Sequence, residues 1–265
     1  MKAKGIFMLA AALAALTGFG AAELPRLTSH RGGRAEYDDN AAGGFRKCLA
    51  AGVTRFETDV RLTKDGELVI MHDADPKRTT TYAGELKIRD LTKAEVTALT
   101  LKKSGERVPT MQDVADVFRG RTDVFVEWEL KEAPKGAAGD DYCDKVHAVA
   151  SKTMEKGTYI FIGFNAEILA TMKRRHPDAA IGLTTGKPLT KAFVDQAKAI
   201  GCCSVQPGLK GAEKEAIDYA HANGLAVALW MCNSLDAWKK ARELGADAVT
   251  TDVPMQLLKQ IKEMK

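Results

Sequence analysis

The stretch Val53-Thr-Arg-Phe-Glu57-Thr-Asp59-Val-Arg-Leu-Thr-Lys-Asp65-Gly66-Glu-Leu-Val-Ile-Met71-His72-Asp73 decides how this chain is to be folded. Residues 53–59 are a β-branched and aromatic run that reads as a strand. Side chains alternate along a strand, so Glu57 and Asp59 point to the same face. Asp65-Gly66 between two apolar runs is a hairpin signal. Taken as a two-residue loop, it sets Asp59 opposite His72 and returns that histidine to the level of both carboxylates.

Outward from this stretch, short apolar runs alternate with longer helical patterns, which argues for βα units around a parallel sheet. Further strands are expected at 26–29, 123–130, 158–162, 179–183, 202–206, 225–231 and 247–250. Helices are expected at 41–51, 111–118, 141–156, 166–175, 191–200, 212–223 and 235–244. Eight strands at this chain length are the count and size of a (β/α)8 TIM barrel. An open doubly wound sheet is the runner-up, disfavoured because no glycine-rich phosphate fingerprint follows the first strand. Residues 74–110, rich in Thr, Lys and Asp, read as an insertion after the hairpin.

The chain has 265 residues, 45% hydrophobic and 28% charged, enough for one large globular core at residues 23–265. Residues 1–22 read as a secretory signal peptide: Lys2 and Lys4, an apolar run to Leu16, then small residues ending Gly20-Ala21-Ala22. The apolar run falls short of the roughly 18 residues of a spanning helix. Export to the periplasm or medium, with no stable membrane insertion after cleavage, is therefore expected. Lys2 and Lys4 account for part of the net charge of +4. The clustered Lys and Arg of a nucleic-acid footprint are missing. The five cysteines, Cys48, Cys143, Cys202, Cys203 and Cys232, are odd in number and form no C-x-x-C pair, so a disulfide scaffold or zinc site is not indicated. They read as buried small hydrophobes, with one disulfide left open.

Four clusters fall at expected strand ends, where such a barrel builds its site: His30-Arg31-Gly32, Glu57-Thr58-Asp59, His72-Asp73 and Glu127-Trp128-Glu129-Leu130-Lys131. Each alone is commonplace, but their convergence on one mouth is not. Several inward carboxylates repel one another unless a cation neutralises them, and an all-oxygen set suits Mg²⁺ or Ca²⁺ better than Zn²⁺. Arg31 and Lys131 can take up phosphate charge. Two histidines can divide proton transfer, one deprotonating the attacking hydroxyl and the other protonating the leaving alkoxide. The set suits a phosphate diester.

The residues that carry this chemistry resemble the glycerophosphodiester phosphodiesterases. The match comprises His30-Arg31-Gly32, Asn40 before the helix bearing Phe45-Arg46-Lys47, Glu57-x-Asp59, Leu62-Thr-Lys-Asp-Gly66, His72-Asp73 and Arg78-Thr79-Thr80. It continues through Val108-Pro109-Thr110, Glu129-x-Lys131, Trp230 with Asn233, and Thr251-Asp252-x-Pro254. The resemblance implies a phospholipase C-like barrel with a small insertion, hydrolysing glycerophosphodiesters to sn-glycerol 3-phosphate and an alcohol. It implies His30 and His72 as the acid/base pair, Glu57, Asp59 and Glu129 as metal ligands, Arg31 and Lys131 on the phosphate, and Trp230 at the mouth. The chain departs from the family pattern at Asp38-Asp39-Asn40-Ala41, where Pro-Glu-Asn-Thr is usual, and at Trp230-Met231-Cys232-Asn233, where Trp-Thr-Val-Asn is usual.

Other readings are a phospholipase D-like or phosphoinositide phospholipase C-like enzyme acting on lipid head groups, and a non-catalytic phosphate-ester binding barrel. The first predicts apolar residues exposed around the mouth, whereas the large apolar residues of the insertion, Tyr82, Leu86, Ile88, Leu91, Leu99 and Leu101, are spaced for local packing. The second predicts a lost histidine or carboxylate, and none is lost. Glu127 is either a further ligand or a core hydrogen-bonding group. The leaving alcohol and the oligomeric state are left open.

Overall fold

Each apolar run read as a strand becomes one, and closure comes from the first strand pairing on both sides. The computed structural model describes residues 24–264, so the signal read at 1–22 lies outside the described residues. The strands are β1 (Arg26–His30), β2 (Arg55–Leu62), β3 (Leu68–Ile70), β4 (Phe125–Leu130), β5 (Tyr159–Gly163), β6 (Ile181–Thr185), β7 (Ser204–Pro207), β8 (Ala226–Trp230) and β9 (Ala248–Thr251). β1 is parallel to β2, with His30 beside Glu57, and parallel to β9, with Ser29 beside Thr251. All of these strands except β3 therefore form a closed parallel (β/α)8 barrel, and β3 is antiparallel to the upper half of β2.

The helices are α1 (Ala42–Ala50), α2 (Lys93–Thr97), α3 (Met111–Val117), α4 (Ala137–Thr153), α5 (Ala166–Arg175), α6 (Lys191–Ala199), α7 (Lys214–Ala222), α8 (Leu235–Leu244) and α9 (Pro254–Glu263). α4 starts before the expected residue 141, directly after Gly136 at φ +60°. α2 lies inside the insertion and was not expected. It opens on a capping box in which Thr92 accepts from the Glu95 backbone and Glu95 accepts from that of Thr92. No helix among the described residues is long and apolar enough to cross a membrane.

The hairpin register differs from expectation by one residue. Val60 faces Ile70 and Leu62 faces Leu68, and the Met71 amide donates to the Asp59 carbonyl at 3.1 Å. The Gly66 amide donates to Thr63 O at 3.0 Å and the Thr63 amide to Glu67 O at 2.9 Å. Gly66 sits at φ +74°, so the loop is a turn with a glycine bulge, one residue longer than the two-residue loop. Met71, not His72, stands beside Asp59.

The main core lies between barrel and outer helices, where Phe45, Phe56 and Phe118 meet edge-on or tilted with centroids 4.8–6.1 Å apart. A second cluster (Val69, Met71, Ile88, Leu91, Val96, Leu101, Val108) packs the insertion onto the hairpin. The insertion thereby forms a fixed wall beside the mouth. All five cysteines are free, and Cys48, Cys143, Cys202 and Cys232 are buried.

Candidate active site

At the C-terminal end of β1 the backbone turns left-handed, at Arg31 (φ +51°) and Gly32 (φ +73°). A Cβ on Gly32 would meet the Phe45 amide nitrogen at 3.2 Å, so only glycine lets α1 approach this closely. The turn carries the Arg31 side chain back over the barrel. Its Nε lies 3.3 Å from Asp59 Oδ2, Nη1 donates to Asp39 Oδ2 at 3.1 Å, and its backbone amide donates to Glu57 Oε2 at 3.2 Å.

Glu57 and Asp59 on β2 and Glu129 on β4 are all buried, and each offers an oxygen within 4.8 Å of the others. Register makes this possible, because Asp59 stands directly beside Glu129. Lys131 enters from above, 3.0 Å from Asp59 Oδ1 and donating to Glu129 Oε1 at 2.6 Å. Asn40, at φ +62°, donates to Asp59 Oδ2 at 2.8 Å and accepts from Thr58.

The charges are not independent. Burial, then the neighbouring Asp59 and Glu129, push the Glu57 carboxyl well above its ordinary value. Burial and Asp59 push Glu129 up to about 7. Burial acts the same way on Asp59, but Lys131 and Arg31 outweigh it and hold that carboxyl below its ordinary range. Glu57 Oε1 is buried with no hydrogen-bond partner among the described residues. Three oxygen donors, two of them resisting ionisation and one with an orphaned oxygen, fit a hard divalent cation.

Both histidines face the same cavity as Arg31, Glu57, Glu129, Lys131 and Trp230. His30 Nδ1 is 2.5 Å from Asp252 Oδ1, and His72 Nδ1 is 2.6 Å from Asp73 Oδ1. A carboxylate only accepts, so each Nδ1 carries the hydrogen, and each neutral ring keeps its Nε2 lone pair free. His30 Nε2 lies 3.7 Å from Glu57 Oε2. Burial lowers both imidazoles below their ordinary value. Arg61 donates twice to the His72 carbonyl, at 3.0 and 2.6 Å, so the backbone there is pinned despite the shifted register.

His30, Arg31, Glu57, Asp59, His72, Glu129, Lys131 and Trp230, read from the sequence as the site, thus converge here. Asp59 lies just below the cavity wall. Trp230 ends β8 half-buried, donates Nε1 to the Gln206 carbonyl at 2.9 Å, and packs edge-on against Phe164 with centroids 5.9 Å apart. Glu127 does not join the site. It accepts from Arg55 Nη2 at 3.1 Å, Gln206 Nε2 at 2.9 Å and Thr28 Oγ1 at 3.3 Å inside the barrel, which makes it the core group. Cys232 is fully buried and its thiol is pushed up to about 12 by burial, so it is chemically inert here.

Three further residues, Asp73, Arg78 and Asp252, stand in the sequence motifs without a role of their own, and Asp39 enters only as a shorter replacement for the family's glutamate. Asp252 directly follows β9, at the level of the other strand-end clusters. That placement was the available signal.

The sequence model of the Glycerophosphoryl diester phosphodiesterase family matches residues 30–256. A glycerophosphodiester phosphodiesterase of Caldanaerobacter subterraneus subsp. tengcongensis is 27% identical over 241 residues, covering 89% of this chain and 97% of its own. One from Bacillus altitudinis is 25% identical, covering 91% and 100%. The structure superposes on that of an Oleispira antarctica phosphodiesterase in complex with the product sn-glycerol-3-phosphate, with TM-score 0.81 at 23% identity, over 90% of this chain and 97% of that one.

Proposed function

The chain belongs to the glycerophosphoryl diester phosphodiesterase family, and from that premise and the site geometry we propose that it hydrolyses glycerophosphodiesters to sn-glycerol 3-phosphate and an alcohol. The observation that carries the reading is the buried Glu57, Asp59 and Glu129 triad beneath two aspartate-backed histidines in one cavity.

Glu57, Asp59 and Glu129 would hold a divalent cation, Mg²⁺ or Ca²⁺, whose chemistry is to polarise the phosphoryl oxygens and offset the charge that builds on them. Arg31 and Lys131 bind the phosphate, the guanidinium as a fork and the ammonium as a point charge. One imidazole, neutral, takes at its Nε2 the proton of the attacking hydroxyl as that oxygen bonds to phosphorus. The other, entering as the imidazolium, gives its Nε2 proton to the leaving alkoxide as the alkoxide–phosphorus bond breaks. The hydroxyl is that of water, or the substrate's neighbouring glycerol hydroxyl with water then opening the cyclic phosphate. Asp252 and Asp73 accept from Nδ1–H whether the ring is neutral or protonated, and so aim each Nε2 into the cavity. Trp230 walls the mouth against the glycerol or the leaving group. Among the described residues the exposed large hydrophobics are Leu86, Phe164 and Met264, too few and too scattered to seat an acyl chain, which favours water-soluble substrates.

The test is chelator-stripped protein offered glycerophosphocholine, glycerophosphoethanolamine and glycerophosphoglycerol, with Mg²⁺ or Ca²⁺ restored. Cation-dependent release of glycerol 3-phosphate is expected. Folded, cation-loaded protein that releases none would end the reading. The segment at 1–22 supports export to the periplasm or medium. N-terminal sequencing of protein recovered from cells should begin near Glu23, and an intact Met1 in the cytoplasmic fraction would refute export.

A further inference from the structure

The two histidines are joined behind the site as well as across it. Asp252, which holds His30, lies 3.9 Å from Arg34 Nε, and the same nitrogen lies 3.7 Å from Asp39 Oδ2. Asp73, which holds His72, accepts from Arg78 Nε, and Arg78 Nη2 donates to that same Asp39 oxygen at 2.9 Å. Arg31, next in sequence to His30, donates to it as well, at 3.1 Å. One buried carboxylate oxygen thus gathers three guanidiniums, two leading to the histidine-backing aspartates and the third on the phosphate side. Three arginines converging on one point repel one another unless an anion stands between them. The loop that carries Asp39 is itself fastened, since the neighbouring Asp38 accepts from the backbone amides of Lys103 and Ser104 in the insertion.

We infer that Asp39 is a positioning residue for the hydrolysis, binding the His30–Asp252 and His72–Asp73 pairs and Arg31 into one preorganised unit. The inference rests on the hydrolase reading and deepens it. Asp39 touches none of the reacting atoms. It acts by holding the Arg78 guanidinium that hydrogen-bonds Asp73, and by a longer ion pair through Arg34 to Asp252, whose other carboxylate oxygen accepts from Asn233 at 2.8 Å. A misplacement of such groups by about an ångström costs on the order of 10²-fold in rate. Asp39 stands where the family pattern usually carries the one-methylene-longer glutamate.

The test compares the wild-type protein with Asp39→Asn and Asp39→Glu. Asp39→Asn should lower kcat by roughly 10- to 100-fold while KM moves less than about threefold, and Asp39→Glu should recover most of the loss. The second readout needs no turnover: long-range ¹H–¹⁵N spectra of the imidazole rings. In Asp39→Asn the signals of both His30 and His72 should shift, while those of His147, His176 and His221 stay in place. Should Asp39→Asn fail to fold, Arg78→Gln on the half-exposed rim takes its place, with lowered kcat at constant KM and a displaced His72 signal expected. Unchanged kcat, a loss confined to KM, or histidine signals that stay where they are in the folded variant overturns the inference. Wild-type protein that releases no glycerol 3-phosphate defeats the hydrolase reading instead, and the ring spectra still judge the role of Asp39.

Discussion

The ammonium of Lys131 stands 3.0 Å from Asp59 Oδ1, between strands whose register already sets Asp59 beside Glu129. This contact keeps one carboxylate of the triad ionised while its two neighbours are pushed toward protonation. It also shapes how the site should respond to a cation.

Cation binding should release protons. Glu129 is pushed up to about 7 and Glu57 is raised well above its ordinary value, and both must ionise to act as ligands. Affinity for Ca²⁺ should therefore fall as pH is lowered through 7. Calorimetry at pH 6.5 in two buffers of different ionisation enthalpy should show net proton release, and identical apparent enthalpies would contradict it.

His30→Ala and His72→Ala should each lower turnover by about 10²–10⁴-fold, the usual range for a general acid or base. Far-UV circular dichroism and Ca²⁺ binding should be retained. Near-wild-type turnover in either variant removes that ring from the proton transfers.

Glu127→Ala should destabilise the protein without weakening cation binding. It strands the Arg55 guanidinium, which is buried and paired with Glu127 at 3.1 Å. Breaking one half of a buried pair costs about 3–5 kcal/mol, and a barrel of this size loses about 2–4 °C of thermal midpoint per kcal/mol. An unchanged melting temperature together with weakened Ca²⁺ binding would return Glu127 to the ligand set.

His221, far from the site, should make stability depend on pH. Its hydrogen bond with Asp247, 3.0 Å away, raises its pKa above the ordinary 6.5. A raised folded value means that the added stability is fully present below 6.5 and is lost as pH rises through the folded value. The gap in thermal midpoint between wild type and His221→Gln should be widest below pH 6.5 and narrow as pH rises above it. A gap that widens with pH would contradict the pairing.

Most of the barrel was legible because its signals are local. The strand runs, the alternation that puts Glu57 and Asp59 on one face, and the Asp65-Gly66 turn are all consequences of nearest-neighbour backbone geometry. Helix α2 was equally local, announced by Thr92 and Glu95, but hidden in a segment of weak apolar periodicity. The hairpin register was not legible, because the left-handed conformation at Gly66 adds a residue that composition does not reveal.

The sequence by itself determined the eight-stranded barrel, the four charged clusters at strand ends and the family they resemble, since period-2 alternation and motif order are written along the chain. Only the tertiary structure decided which charge serves which. Asp252 reaches His30 from 222 residues away because β9 closes on β1. Asp39 meets Arg78 because the insertion folds back over the first loop. Glu127, one alternation below Glu129 on the same face, is taken by Arg55 instead of the site. Coulomb and hydrogen-bond energies fall off over a few ångströms. Among many like charges, partners are therefore chosen by distances through space, and barrel closure sets those distances.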